Sequence, residues 1–206
     1  MNSGKYIFTQ IADLIKMTPF RKLVKKYGGD YRAHDLTCYD QFLHLLFGQL
    51  SSCTSLRDIC LCLKAHESSL FHMGFGNSVD HTTLSRANEK RDCRIYEDLL
   101  EIANIYRQRW DIEVFFRWIK QNIVIKKLWG YSPNAVKTHL WVATCACLLL
   151  AWAKKLYQSD YSITELATLV SVSLFEKADL KELLALPNDK LGYLNSKQNV
   201  KELTLF

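Results

Sequence analysis

The sequence has no proline- or glycine-rich stretch: three prolines and eight glycines are scattered over 206 residues. That excludes a collagen-like chain and leaves no low-complexity linker. None of its seven cysteines, at 38, 53, 60, 62, 93, 145 and 147, forms a Cys-x-x-Cys pair. The N-terminus, MNSGKYIFTQIADLIKM, is punctuated by charge and lacks a cleavage site. A reducing cytoplasm is expected, with the cysteines acting as small core hydrophobes. Cys60, Cys62, His66 and His72 make a poor zinc set, because residues two apart on a helix point in different directions. The longest apolar run, Leu140–Ala153, has fourteen residues, short of the roughly 20 that a membrane span needs. It reads as a buried core helix, and no membrane span is expected. No alternating run is long enough for a central strand, so the fold class is mainly α.

What is present is an ordinary globular composition, 49% hydrophobic and 23% charged, with a net charge of +6. The charge is uneven: residues 1–157 carry 22 basic against 14 acidic side chains, and residues 158–206 carry 5 against 7. A basic body points to a polyanion, nucleic acid first and a membrane surface second.

Short helices are predicted at Phe8–Lys16 and Pro19–Tyr27, the latter opened by Thr18–Pro19, carrying Arg21, Lys22, Lys25 and Lys26, and ended by Gly28–Gly29. Tyr39–Leu50 is strongly apolar, and Ser55-x-x-Asp58 opens a helix to about His66. A glycine turn over 73–78 then leads into DHTTLSRANEKRDCRIYEDLL, predicted as one helix. Its polar head offers Arg86, Asn88, Lys90 and Arg91, groups able to pair with base edges and phosphates as a major-groove helix does. A solvated helix face explains the same residues equally well. Beyond it, Leu99–Ile123 is predicted helical, Lys126–Leu128 briefly extended and Gly130–Pro133 a turn. Further helices run from Asn134 to about Tyr157, over Thr164–Val172 and over Lys177–Leu184.

On an ideal helix with Tyr106 at the origin, Arg109 falls at about −60°, Glu113 at about −20° and Lys120 at about −40°. A carboxylate flanked by Arg, Lys and a tyrosine hydroxyl suits a phosphate site holding a metal ligand. An i, i+4 salt-bridge pattern on an amphipathic helix is the alternative. The spacing Tyr106-x2-Arg109-x3-Glu113-x6-Lys120, within YRQRWDIEVFFRWIKQ, resembles the Y-x2-R-x3-E-x6-K signature of bacterial insertion-sequence DDE transposases (insertion sequence family 4). IKKLWG, NAVKTHLW, SVSLFEKADLKELL and the terminal ELTLF resemble that family's C-terminal part. YDQFLHLLFGQLSSCTSLRDI and HTTLSRANEKRDCRIYEDL resemble the helical domain ahead of its catalytic core.

The resemblance implies a helical, DNA-binding domain over 1–98. Residues 99–206 would be the remnant of an RNase H-like DDE domain whose central sheet is missing. It implies Glu113 as catalytic residue and Mg²⁺ ligand, and Tyr106, Arg109 and Lys120 as phosphate-gripping DNA-binding residues. In the family two further aspartates precede them on strands; here RIYEDLL passes directly to EIANIYRQRW, so both are expected to be absent. Asp30, Asp80, Asp92 and Asp98 fall in segments resembling the N-terminal domain and are not expected to replace them. The implied activity is Mg²⁺-dependent strand transfer at transposon ends, with this chain alone expected to be inactive, because two-metal chemistry needs several convergent carboxylates. A non-catalytic DNA-binding regulator or an inactive remnant is the alternative. The implied partners are DNA at transposon ends, and a second copy or a full-length transposase, in a bacterial cytoplasm. The helices that normally cover a sheet must pack on each other, on the N-terminal helices or on another chain.

Overall fold

Helix caps announce most of the elements. The computed structural model describes residues 4–76, 78–105 and 128–185. The helices are α1 (Ile7–Ala12), α2 (Met17–Lys26), α3 (Cys38–Leu50), α4 (Leu56–Ala65) and α5 (Glu67–Leu70), which runs into a single 3₁₀ turn at Phe71–Met73. Then come α6 (His81–Lys90), α7 (Arg94–Ile105), α8 (Pro133–Leu156), α9 (Ile163–Ser173) and α10 (Leu180–Leu184). The fold is mainly α, and among the described residues there is no strand, only an isolated bridge between Tyr6 and Lys177. The predicted helix beyond Ile105 and the extended residues Lys126 and Lys127 lie outside the described residues.

Thr37 and Asp40 form a reciprocal capping box on α3, and Ser162 and Glu165 form another on α9. At α4 only half of the predicted box forms: Ser55 Oγ accepts from Asp58 N, while the Asp58 carboxylate accepts from Thr54. Helix α2 starts at Met17, ahead of the predicted Pro19. The first turn has no intrahelical use for its N–H groups, so proline at its third position costs no bond.

The helix predicted across residues 80–100 is two helices. Arg91 is extended (ψ 136°), which ends α6, and Asp92 accepts from Arg94 N at 2.9 Å, which starts α7. Asn134, in the first turn of α8, closes the break. Its amide donates to the carbonyls of Asn88 (2.9 Å) and Arg91 (2.6 Å), and its oxygen accepts from Cys93 N at 3.2 Å. The orphaned groups of two helix ends are satisfied by one side chain.

Helix α8 packs against α1, α3, α6, α7 and α9. One hydrophobic cluster runs from Tyr6 to Leu184 and includes Phe42, Leu46 and Phe47 of α3, Ile95 and Tyr96 of α7, and Val142 and Leu149 of α8. Among the described residues, the Leu140–Ala153 segment packs on the N-terminal helices and on α9. The helix is longer than the apolar run that seeds it, and its 24 residues reach the length and hydropathy of a membrane-crossing helix. Two-thirds of that apolar window is buried by the surrounding helices, as in a core helix. Gly48 allows the closest approach in this core: a Cβ there would sit 2.7 Å from Trp129 and collide with Ile59. The cysteines are all free, and five of them (38, 53, 93, 145 and 147) are buried. Burial pushes the thiols of Cys38 and Cys145 up to about 12, so they remain protonated core groups.

Candidate nucleic-acid interface

Helix α6 has an inner and an outer face. Leu84 and Asn88, four residues apart, are buried; Thr82, Arg86, Glu89 and Lys90 are exposed. Asp80 caps the helix by accepting from Thr82 N at 2.7 Å, which lowers its carboxyl below the ordinary range. Asn88 does not face outward: its Oδ1 accepts from Gln41 Nε2 at 2.6 Å in the interior. Arg91 is also turned inward, donating to Thr37 O (2.9 Å), Gln41 Oε1 (3.0 Å) and Leu36 O. In this arrangement neither side chain presents a free group to a base edge. Arg86 and Lys90, at i and i+4, share the outer face.

Helix α2 presents a second basic group. Arg21, Lys22 and Lys25 are exposed and form no ion pair among the described residues, whereas Lys26 is committed to Asp98 at 2.7 Å. Asp98 also accepts from Tyr27 Oη at 2.7 Å, and these two bonds lower its carboxyl. Arg94 grips Asp92 (2.5 Å) and lies over the Tyr27 ring at 4.9 Å. Lys26, Tyr27, Arg94 and Asp98 therefore fasten α2 to α7, and only the outer cations of α2 remain available. Beside them the chain turns back through Gly28 (φ 60°), and Arg32 holds φ 56°. A non-glycine residue in that region costs about 1 kcal/mol or more. Between α2 and this loop lies a groove of about 620 Å³. Tyr31, 76% exposed, stands at its edge, a residue that composition and charge counts do not single out.

The four aspartates weighed as replacements are engaged in structural bonds. Asp30 accepts from Cys38 N at 2.6 Å, Asp80 caps α6, Asp92 holds Arg94, and Asp98 holds Lys26 and Tyr27. Among the described residues no group of three or more His, Cys, Asp or Glu could hold a metal ion. Of the weighed zinc residues, His66 stacks on Phe175 with centroids 3.7 Å apart, and Cys62 and His72 are exposed. Tyr106, Arg109, Glu113 and Lys120 lie outside the described residues.

Two stretches of the chain match known families. Residues 3–76 match a domain of unknown function (DUF4372), and residues 78–150 match the transposase DDE domain. The chain is 40% identical over 101 residues to "Putative transposase y4zB" of Sinorhizobium fredii, covering 49% of this chain and 27% of that protein. It is also 40% identical over 88 residues to "Probable transposase for insertion sequence element IS5377" of Geobacillus stearothermophilus, 40% of this chain and 22% of that protein. Over these stretches the chain is similar to insertion-sequence transposases. It spans about a quarter of the length of the curated transposases it matches. No solved structure matches it.

The transposase relationship sorts the two basic surfaces. The two family matches meet at residue 77, between the 3₁₀ turn and α6. Arg86 and Lys90 thus lie in the stretch matching the transposase DDE domain, and Arg21, Lys22 and Lys25 in the preceding domain. DDE transposases use divalent metal ions; the carboxylates described in this chain do not form such a site.

Proposed function

We propose that this chain is an internally shortened insertion-sequence transposase that binds DNA and does not cut it alone. The observation carrying this reading is α7. It runs unbroken from Arg94 to Ile105, from the segment resembling the helical domain directly into the one bearing the Tyr106-Arg109-Glu113-Lys120 signature. The absence of a strand in that passage supports the reading that the family's first two aspartates are missing. Glu113 would then be the one remaining member of the catalytic set, and a single carboxylate does not hold two hard cations in register with a scissile phosphate. No Mg²⁺-dependent step is assigned to the chain.

DNA is the proposed partner, with transposon ends as the proposed target. The outer cations of α6 (Arg86, Lys90) and α2 (Arg21, Lys22, Lys25) would meet phosphates. The signature residues Tyr106, Arg109 and Lys120 are proposed to grip the backbone near the end. The chain would act by occupying ends or diluting active transposase subunits, in a bacterial cytoplasm. The division near residue 98 falls inside α7, so the proposed remnant of the RNase H-like domain is joined to the N-terminal helices through one continuous helix.

Gel shift over a salt series tests the binding. Affinity should fall steeply, since each neutralised phosphate releases counterions and adds about 0.9 to the slope of log affinity against log salt. Absence of binding at low salt, or salt-independent binding, contradicts the proposal.

A further inference from the structure

The groove between α2 and the loop 28–37 has the composition of a nucleotide site. Its floor is apolar, with Phe20 and Val24 buried, and Tyr39 half-buried and edge-on to Phe20 with centroids 5.8 Å apart. Its rim carries Arg21 and Lys25, one helical turn apart and both exposed. The carboxylate of Asp30, the one acid lining it, already accepts from Cys38 N. At the edge Tyr31 stands exposed with the Arg32 guanidinium 5.2 Å from its ring centroid, on a loop that holds Arg32 at φ 56°. The loop does not float: Arg91, at the end of α6, donates to Leu36 and Thr37 carbonyls, and Thr37 lines the groove. The groove therefore adjoins the end of the helix whose Arg86 and Lys90 face outward.

An exposed aromatic ring beside two unpaired cations, over an apolar floor, is the arrangement that stacks a base and holds its phosphate. Its volume falls in the range of ordinary ligand pockets. We propose that this groove takes an unpaired nucleotide of a DNA strand, its base stacked on Tyr31 and its phosphate held by Arg21 and Lys25. The site depends on the DNA-binding reading above and adds to it a single-stranded element that duplex contacts through Arg86 and Lys90 do not need. Base stacking favours nucleic acid over an acidic peptide, which would use the cations alone.

The test is fluorescence anisotropy of the full chain with a labelled oligo(dT) strand and, separately, a random-sequence duplex. Tyr31→Ala should weaken oligo(dT) binding about tenfold, and Tyr31→Phe should retain it, because the ring face stacks. Tyr31 is exposed, so neither change disturbs the core. Arg21→Ala with Lys25→Ala should lower the oligo(dT) salt slope by about 0.7, the share of one phosphate on a single strand. Duplex binding should be unchanged by Tyr31→Ala. Equal oligo(dT) binding by wild type and Tyr31→Ala, or displacement of oligo(dT) by poly-glutamate as readily as by unlabelled oligo(dT), overturns the site. Duplex binding without oligo(dT) binding sinks the site alone; binding to neither sinks the DNA-binding reading with it.

Discussion

Arg86 and Asn88 are two residues apart and look interchangeable in a polar helix, yet they face opposite ways. Leu84 was the legible signal: an apolar residue four before Asn88 marks the inward face, which makes Asn88 a core amide. Arg91 was not legible, because its partners are carbonyls at Leu36 and Thr37, more than fifty residues earlier. The two classes separate experimentally. Asn88→Ala strands the Gln41 amide in the interior and should cost about 1–3 kcal/mol in denaturant unfolding. Arg86→Ala should change stability by less than about 0.5 kcal/mol and lower the duplex salt slope by about 0.9. His139 makes a pH prediction. Burial lowers its pKa to about 4, while its ring accepts from Trp129 N at 3.3 Å and lies 3.0 Å from the Gln49 amide. Between the ordinary value of 6.5 and about 4, the unfolded chain binds the proton and the folded chain does not. Stability therefore falls as pH drops through that window and is fully present above it. Melting of His139→Gln should show a flatter slope between those pH values than wild type.

Among the elements, those announced by their own sequence appear where expected: α3 behind Thr37, α8 behind Ser132–Pro133, and α9 behind Ser162. The break between α6 and α7 was partly written in Asp92, a good cap residue, but the Asn134 side chain that satisfies both helix ends arrives from over forty residues away. Local pattern cannot supply a partner of that kind. The same holds for α8, whose apolar run gave burial but not the helices that bury it. The crossing of α3, α4 and Trp129 makes a sharp prediction at Gly48. Gly48→Ala should gain helix propensity and still lose about 1–3 kcal/mol in chemical denaturation, because the added methyl collides with Ile59 and Trp129. A stabilised variant would mean that the contact relaxes freely.

For the whole molecule, one hydrophobic cluster joins the N-terminal helices to α8, α9 and α10. This arrangement predicts a single cooperative unfolding transition for both parts, seen alike by circular dichroism and tryptophan fluorescence; two separated transitions would show that the parts fold independently. The candidate site divides along the same line. The basic helix faces were legible from sequence, the groove beside α2 needed the fold, and the signature residues rest on spacing and resemblance. The central claim, a transposase relative that holds DNA without cutting it, is tested most directly by incubating the purified chain with DNA carrying the ends of its element, in Mg²⁺ and in Mn²⁺, and counting nicked and joined strands. The account predicts shifted but intact DNA, identical for wild type and Glu113→Gln. Metal-dependent cleavage that Glu113→Gln abolishes would contradict it.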